Sequence, residues 1–232
     1  MEYGNNFDRY LDSSIFIQKF LQRVYFFMFS GLVISGVVAY LVASSEGLFL
    51  SIMKNSVCLI GLVILQVGLV IALSAAINKI TPFIAGLLFF LYSAITGVTL
   101  SIVLVVYSTK SIFTVLGITS IIFAMMSLYG FFTKTDLTSI GKLLFFFLIG
   151  VIIATVVNIF LKSSFLDYII CYVGIGVFMG LTAYDTQKIK TMATNLIDYP
   201  DGQKYAILGA LSLYLDFINI FLYLLRLFGR RD

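Results

Sequence analysis

Seven long apolar stretches decide what this chain of 232 residues can fold into. A helix that crosses a bilayer needs about 20 mostly apolar residues, and each stretch is long enough. The stretches occupy residues 22–44, 56–77, 82–107, 111–132, 141–161, 166–187 and 205–228. The chain is 61% hydrophobic and 11% charged, whereas soluble domains are about 45–50% apolar and about 25% charged. We therefore predict an all-α integral membrane protein, a bundle of seven transmembrane helices.

One membrane domain is predicted to account for the whole chain, residues 1–232. Within it, 1–21 is a polar N-terminal segment, 22–228 is the seven-helix bundle and 229–232 is a short tail. The first apolar stretch exceeds the roughly 7–15 residues of a signal-peptide core, so we expect an anchor that is retained. The Ser44–Asn55 connection is expected to hold a turn at Ser-Ser-Glu-Gly.

The connection between the sixth and seventh stretches has two parts. Residues 185–195 read DTQKIKTMATN and contain no helix breaker, so the sixth helix is expected to continue past the membrane. Residues 199–202 (YPDG) are a turn signal, which predicts an antiparallel hairpin of the sixth and seventh helices. Helix length then places Asp185 about 15 Å and Asp216 about 21 Å from the turn, so that the two carboxylates meet at similar depth.

Polar groups on the last stretch follow one face of a helix. The groups that recur at spacings of three and four residues are Gly209, Ser212, Asp216, Asn219, Tyr223 and Arg226. A carboxylate on such a stripe cannot face lipid, so the stripe is expected to face other helices or water. Asp216 is therefore the first candidate functional residue. Arg226 lies about 15 Å from it along the helix, too far for a direct partner, and is expected to extend to the membrane interface.

Two acidic groups are expected within the membrane. Asp216 lies inside the seventh apolar stretch, and Asp185 lies at the inner end of the sixth. Two carboxylates held close together in a poorly hydrated site titrate as a pair, so that a shared proton would make the hairpin sensitive to pH. The structural alternative is that each Asp accepts hydrogen bonds from neighbouring side chains. Calcium takes about six to eight oxygens. Two carboxylates, helped by Tyr184, Asn219, carbonyl groups and water, would suit a weak and transient calcium site.

The sequence lacks the motifs of the common enzyme classes, so neither an enzyme nor a bound cofactor is expected. It contains no histidine, no Walker loop and no HExxH or GxSxG motif. An intramembrane aspartyl protease has glycine before its second aspartate, whereas Asp216 follows Leu213-Tyr214-Leu215. The net charge of +4 is spread over the ends of segments, which argues against nucleic-acid binding. Cys58 and Cys171 are expected to be small buried hydrophobic groups.

The distribution of basic residues indicates a cytoplasmic N-terminus. The inner ends would then carry Arg9, Lys19, Arg23, Lys79, Lys134, Lys142, Lys188, Lys190 and Lys204. The outer loops would carry only Lys54, Lys110 and Lys162. Seven spans also place the C-terminus outside with Arg230 and Arg231, which conflicts with the same rule, and the sequence leaves the side of the C-terminus open.

Clusters of small residues predict close contacts between helices. The clusters are Gly31 with Ser35, Gly97 with Ser101, and Gly174 with Gly176 and Gly180. Ordinary helix packing and a role in gating explain such clusters equally well.

Four stretches carry a family resemblance. They are LTAYDTQKIK at 181–190, GALSLYLDFINIFLYLLRLFG at 209–229, TGVTLS at 96–101 and RVY at 23–25. They resemble the Bax inhibitor-1 family, the transmembrane Bax inhibitor motif proteins, and its bacterial branch in particular. The resemblance covers most of the chain. It implies a bundle with the seventh helix central, in a bacterial inner membrane.

The resemblance also implies a function, a pH-sensitive calcium leak. Asp185 and Asp216 match the family's proton sensor and gate, and calcium would be the transported ion. Family members have a basic residue near the inner end of the second helix that latches onto the helix-six aspartate. Lys79 is the candidate for this latch here, although lysine offers a point charge and not the fork of an arginine. The candidate supporting polar groups are Tyr184, Ser212 and Asn219.

A second hypothesis comes from a different class of protein. The chain would be a non-transporting regulator of a membrane protease or of a stress or cell-death pathway, since the resemblance includes bacterial relatives that bind the membrane-bound FtsH protease. Its contact surface would be the N-terminal segment and the 185–204 connection. A proton-coupled carrier is a third hypothesis. The expected partners are therefore membrane lipid, calcium ions and, under the second hypothesis, FtsH.

Overall fold

Helices make up nearly all of the chain that the structure, a computed structural model, describes, namely residues 2–196 and 202–230. They are α1 (Glu2–Ser44), α2 (Glu46–Met53), α3 (Ser56–Ala76), α4 (Pro82–Val106), α5 (Thr109–Phe132), α6 (Thr138–Leu161), α7 (Ser164–Asn195) and α8 (Gln203–Phe228). All except α2 are long and apolar enough to cross a membrane, and these residues contain no strand. The predicted all-α membrane bundle with seven spans is confirmed.

The bounds of the spanning helices agree with the sequence pattern, except that α1 begins earlier than predicted. Helix α1 begins at Glu2, inside the predicted polar segment, and its Ser14–Ser44 part is long and apolar enough to cross a membrane. Helix α7 continues to Asn195, so the prediction that the sixth helix includes residues 185–195 is confirmed. Of the predicted turn at 199–202, only Gly202 lies within the described residues. The division into one domain with a tail stays a prediction.

The connection between the first two spans is not the simple turn that the sequence predicted. It contains α2, which begins one residue after Ser45. Glu46 in its first turn complements the partial positive charge of a helix N-terminus, which the prediction from Ser-Ser-Glu-Gly overlooked. Asn55 then starts α3, because its side chain accepts hydrogen bonds from the backbone N–H groups of Val57 and Cys58.

The chain forms two compact units, and the first comprises Met1–Val106 and Ile189–Tyr214. Here α1 and α4 approach closely at glycines. A Cβ atom on Gly97 would lie 2.6 Å from the Ser35 backbone oxygen, and one on Gly31 would lie 2.7 Å from the Phe89 ring. The predicted close contacts at Gly31, Ser35 and Gly97 are therefore confirmed.

A buried hydroxyl cluster joins three helices of the first unit, and we define it as Ser35, Ser93, Thr96 and Tyr214. The Ser35 Oγ atom lies 2.6 Å from the Tyr214 hydroxyl and 2.7 Å from the Ser93 backbone oxygen. Ser93 and Thr96 donate to the carbonyl groups one turn earlier in α4. The Tyr214 ring packs edge-on against Phe89 and Tyr92. Each hydroxyl of the cluster has a partner, as buried polar groups require.

The second unit comprises Tyr107–Lys188 and Leu215–Asp232. Its helices also meet at glycines. The backbone at Gly130 of α5 lies directly on Ala183 of α7, and a Cβ on Gly180 of α7 would lie 2.6 Å from Leu144 of α6. Close contact is confirmed at Gly174 and Gly180 but is wrong for Gly176, which has nothing within 4 Å of a Cβ position.

The last span is the most buried. Of the residues in its most apolar window 61% are buried, compared with at most 39% in any other span. Burial of this extent supports the predicted position of the seventh span inside the bundle, with other helices around it.

Candidate functional site

The polar stripe of α8 faces α7. In the second unit Asp216 lies beside Thr182, and Tyr223 packs on Gly174, so that positions rise along α8 as they fall along α7. This order is that of an antiparallel pair, as the hairpin prediction requires. In the first unit Gly209 packs on Ile189 of α7 in the same order. Gly209, Asp216 and Tyr223 of the stripe therefore lie against α7, whereas Arg226 is exposed, and that the whole stripe avoids lipid stays a prediction.

Asp216 is buried, with 4% of its surface exposed, and its Oδ2 atom has no hydrogen-bond partner. Asp185 is half-buried and close enough to interact electrostatically with Asp216. The carboxyl group of Asp216 has the Thr182 side chain as a hydrogen-bonding neighbour. We call Asp185 and Asp216 the aspartate pair. An unpartnered carboxyl oxygen at this depth is unusual, because buried polar atoms are nearly always hydrogen-bonded.

A ladder of hydroxyl groups lies beside the aspartate pair, and the sequence prediction missed it. Thr182 donates to the Phe178 backbone oxygen at 2.8 Å, and Thr186 donates to the Thr182 backbone oxygen at 2.8 Å. Ser127 of α5 lies 3.0 Å from the Thr186 hydroxyl. The signal that could have revealed this ladder is the four-residue spacing of Thr182 and Thr186, which places both on one face of the helix.

Gln187 connects the inner end of α7 to the loop between α5 and α6. Its Oε1 atom accepts a hydrogen bond from the Leu137 N–H at 2.8 Å, and its Nε2 atom donates to the Thr135 backbone oxygen at 2.8 Å. These two bonds hold the loop on the helical turn that carries Asp185. No local sequence pattern predicts this contact, because Leu137 and Gln187 are 50 residues apart.

The predicted supporting groups have different surroundings. The Tyr184 ring lies on Gly141 of α6, with the Lys188 ammonium 5.8 Å from the ring centre. Asn219 donates its amide to the Leu215 backbone oxygen of its own helix at 2.7 Å. Ser212, which is half-buried, belongs to the first unit. That these three groups support the aspartate pair stays a prediction.

Lys79 lies in the turn after α3, in the first unit, and is exposed. This turn is fastened to the start of α8. The Tyr205 hydroxyl donates to the Asn78 side chain at 2.6 Å, and the Lys204 ammonium lies 3.4 Å from the Asn78 backbone oxygen. The role of Lys79 as a latch stays a prediction.

A tight metal centre would need more ligands than the aspartate pair supplies. Among the side chains that the structure describes, those of residues 14–196, 202 and 204–230, no three His, Cys, Asp or Glu lie together in a way that could hold a metal ion. Because calcium takes about six to eight oxygens, the pair would need water and neighbouring carbonyl groups to complete a shell. A weak calcium site at Asp185 and Asp216 stays a prediction.

Arg226 has a partner that the sequence prediction did not identify. Its guanidinium group forms an ion pair with Asp167 at the start of α7, and both side chains are 35% exposed. The expectation that Arg226 extends away from Asp216 agrees with this contact.

These features define a multi-pass α-helical membrane protein with an acidic site between two antiparallel spans. Residues 17–232 match the family described as Inhibitor of apoptosis-promoting Bax1. The chain therefore belongs to the Bax inhibitor-1 family.

Bacterial relatives match over nearly their whole length. The inner membrane protein YbhL of Escherichia coli is 48% identical over 217 residues, 93% of either chain. An uncharacterized protein of Borreliella burgdorferi is 46% identical over 214 residues, 92% of either chain. An uncharacterized membrane protein of Streptococcus pyogenes is 36% identical over 228 residues, 96% of this chain and 97% of the relative. The names that mention a membrane agree with the seven spans.

Proposed function

We propose that this protein is a pH-sensitive calcium leak channel in which Asp185 and Asp216 are the proton sensor and the gate. The observation that carries this proposal is the buried Asp216 Oδ2 atom, which has no hydrogen-bond partner beside a second carboxyl group. Leaving a buried polar group unpaired costs about 1–3 kcal/mol, and more for a charged group. Such an arrangement is expected where function requires it and not where a helix contact merely has to be stable.

Protonation would change the contact between α7 and α8. While the Thr182 hydroxyl donates to Phe178, a protonated Asp216 can donate to the Thr182 oxygen, whereas an ionised Asp216 gains a donor there only if the Thr182 hydroxyl turns away from Phe178. A second negative charge on Asp185 adds repulsion between the two helices. Tightly packed helices respond by moving between two discrete arrangements. The glycine contacts of α7 with α5 and α6 are surfaces on which such a movement can occur.

The latch is the second part of the proposed gate. Lys79 would pair with Asp185 in the closed state, in the role that an arginine fills elsewhere in the family. The proposal is supported by the hydrogen bonds between Asn78 and the start of α8, because they make the turn that carries Lys79 follow this helix. Calcium would pass the aspartate pair as a weakly held ion, with water and the Asn219 amide oxygen among its ligands.

Calcium flux into proteoliposomes at a series of pH values tests the proposal. Asp216→Asn and Asp185→Asn should each abolish most of the pH response. Asp136→Asn is the matched control, because Asp136 is an exposed acid that already accepts a hydrogen bond from Thr138, and it should leave the response unchanged. An unaltered flux and pH response in both pair variants would exclude this mechanism.

The proposed setting is a bacterial inner membrane with a cytoplasmic N-terminus, and neither enzymatic activity nor a bound cofactor. Labelling of single cysteines introduced at Lys54 and Lys134 tests the orientation. An impermeant reagent added to intact cells should modify only the residue-54 variant. The reverse result would invert the topology.

A second candidate function is regulation of a membrane protease such as FtsH. It is supported by the length of α1, 43 residues, and of α7, 32 residues, because a helix needs only about 20 residues to cross a bilayer. Deletion of residues 1–18 should then abolish regulation while the bundle stays folded. Regulation that survives this deletion would count against that contact surface.

A further inference from the structure

A second charged and aromatic cluster lies on the α7–α8 contact, at the end where α7 begins and α8 ends. We define the far cluster as Asp167, Cys171, Gly174, Tyr223 and Arg226. All five residues belong to the second unit. Helix length separates Arg226 from Asp216 by about 15 Å, so this cluster is distinct from the aspartate pair.

The ring of Tyr223 fills the contact between the two helices. A Cβ atom on Gly174 would lie 2.7 Å from the Tyr223 ring, so the ring rests directly on the α7 backbone. The Phe178 ring of the same helix is also near, with 6.0 Å between its centre and that of the Tyr223 ring. The Tyr223 hydroxyl has Thr155 of α6 as a hydrogen-bonding neighbour. The ring therefore leaves no space between α8 and the α7 backbone at Gly174.

The ion pair between Arg226 and Asp167 holds the two helices together just beyond the ring. Arg226 follows Tyr223 by three residues, which places both on the same face of α8. Cys171 follows Asp167 by four residues on α7 and is only 1% exposed, although it lies near both charged groups. The ion pair and the Tyr223 ring therefore contact the face of α7 that carries Asp167, Cys171 and Gly174.

We propose that the Arg226–Asp167 ion pair is a clamp that keeps Tyr223 seated on Gly174 and so closes the far end of the α7–α8 pathway. This inference rests on the proposed calcium leak and assigns it a second gate, opposite the aspartate pair. Loss of either charge releases α8 from α7 at this end. The ring then leaves Gly174, and water reaches Cys171.

Thiol labelling measures this release without depending on ion flux. In a Cys58→Ser background, Cys171 is the one remaining thiol of the sequence. The probe is the anionic reagent sulfonatoethyl methanethiosulfonate, because removal of a positive arginine would disfavour its approach. Faster labelling in Arg226→Gln therefore reports exposure and not electrostatic attraction.

The clamp predicts labelling about three- to fivefold faster in both Arg226→Gln and Asp167→Asn, the size expected for a partly exposed ion pair. The double variant Asp167→Arg with Arg226→Asp should restore protection. Tyr223→Phe keeps the ring and is the matched control, whereas Tyr223→Ala should label fastest. Thermal unfolding in detergent identifies any variant that has lost its fold. If the charge variants have, the labelling rates of Tyr223→Ala and Tyr223→Phe are compared instead.

Flux measured on the same variants separates this inference from the proposed function. Arg226→Gln should raise calcium flux at the pH where the wild type is least active, with an unchanged pH midpoint. Unchanged labelling in a folded Arg226→Gln variant would overturn the clamp even if the wild type shows pH-dependent flux. Faster labelling in a protein without any calcium flux would uphold the clamp and reject the leak.

Discussion

Two buried polar sites of this protein lie two residues apart on one helix, yet their chemistry differs. Tyr214 belongs to the hydroxyl cluster of the first unit, where Ser35 and the α4 backbone supply a partner for each hydroxyl group. Asp216 belongs to the aspartate pair of the second unit, where one carboxyl oxygen has no partner and the nearest charged neighbour is another acid.

The difference separates a structural role from a functional one. A saturated network of neutral hydroxyls has one favourable arrangement and holds its helices in it. An acid with an unsatisfied oxygen depends on its protonation state, so its helices have a reason to move. Variants of the hydroxyl cluster should therefore lower stability and leave the pH response unchanged. Variants of the aspartate pair should change the pH response and have little effect on stability.

The largest effect is expected at the glycines on which each site is built. A Cβ on Gly130 would lie 2.8 Å from the Ala183 carbonyl carbon, and one on Gly97 would lie 2.6 Å from the Ser35 oxygen. Because backbone atoms cannot give way, Gly130→Ala and Gly97→Ala should each destabilise by about 3 kcal/mol. Gly117→Ala is the control for α5, since nothing lies within 4 Å there. Thermal unfolding in detergent measures the difference, and equal effects at Gly117 and Gly130 would contradict the contact.

Tyr214→Phe should have the next largest effect on stability. It removes the hydroxyl that lies 2.6 Å from Ser35 Oγ and leaves the ring contacts with Phe89 and Tyr92 in place. The expected loss is about 1–2 kcal/mol, with an unchanged pH response of calcium flux. Tyr129→Phe, at an exposed position, is the control. A shifted pH midpoint in Tyr214→Phe would show that the hydroxyl cluster takes part in sensing.

Asp216→Leu should distinguish a structural role of Asp216 from a functional one by the sign of its effect on stability. Replacing a buried and incompletely paired acid by an apolar residue of similar size is often neutral or stabilising. We expect unfolding stability to stay the same or to rise by about 1 kcal/mol, while the pH response is lost. A loss of stability similar to that of Gly130→Ala would instead make Asp216 a structural residue.

The smallest effect is expected at Asp136, an exposed acid with partners. Hydrogen bonds from the Thr138 side chain and backbone, with Lys142 nearby, hold the pKa of Asp136 below its ordinary value. Its contribution to stability is present above the ordinary pKa of about 3.9 and is lost as the pH falls through the lower folded value. Asp136→Asn should remove this small acid-side dependence from the thermal midpoint. The variant should therefore have a slightly lower thermal midpoint than the wild type at neutral pH and the same midpoint below the folded pKa, and the reverse pattern would contradict this assignment.

The sequence predicted the parts of the fold that depend on local pattern. Apolar length gave the seven spans, and helical spacing gave the face of α8 that meets α7, including Asp216 and Tyr223. Contacts between distant segments carried no such signal. Gln187 with Leu137, Arg226 with Asp167, and Ser127 with Thr186 each require knowing which helices are neighbours. The prediction of a simple turn at Ser-Ser-Glu-Gly is wrong for a different reason. Glu46 is an acid in the first turn of a helix, and the same residue type is also common in loops.

Infrared difference spectroscopy of the protein in lipid, recorded over the pH range in which calcium flux changes, tests the central claim most directly. We expect a carboxyl band that titrates together with the flux and is lost in Asp216→Asn but retained in Asp136→Asn. A pH-dependent flux without any titrating carboxyl band, or a band that survives in both Asp216→Asn and Asp185→Asn, would contradict it.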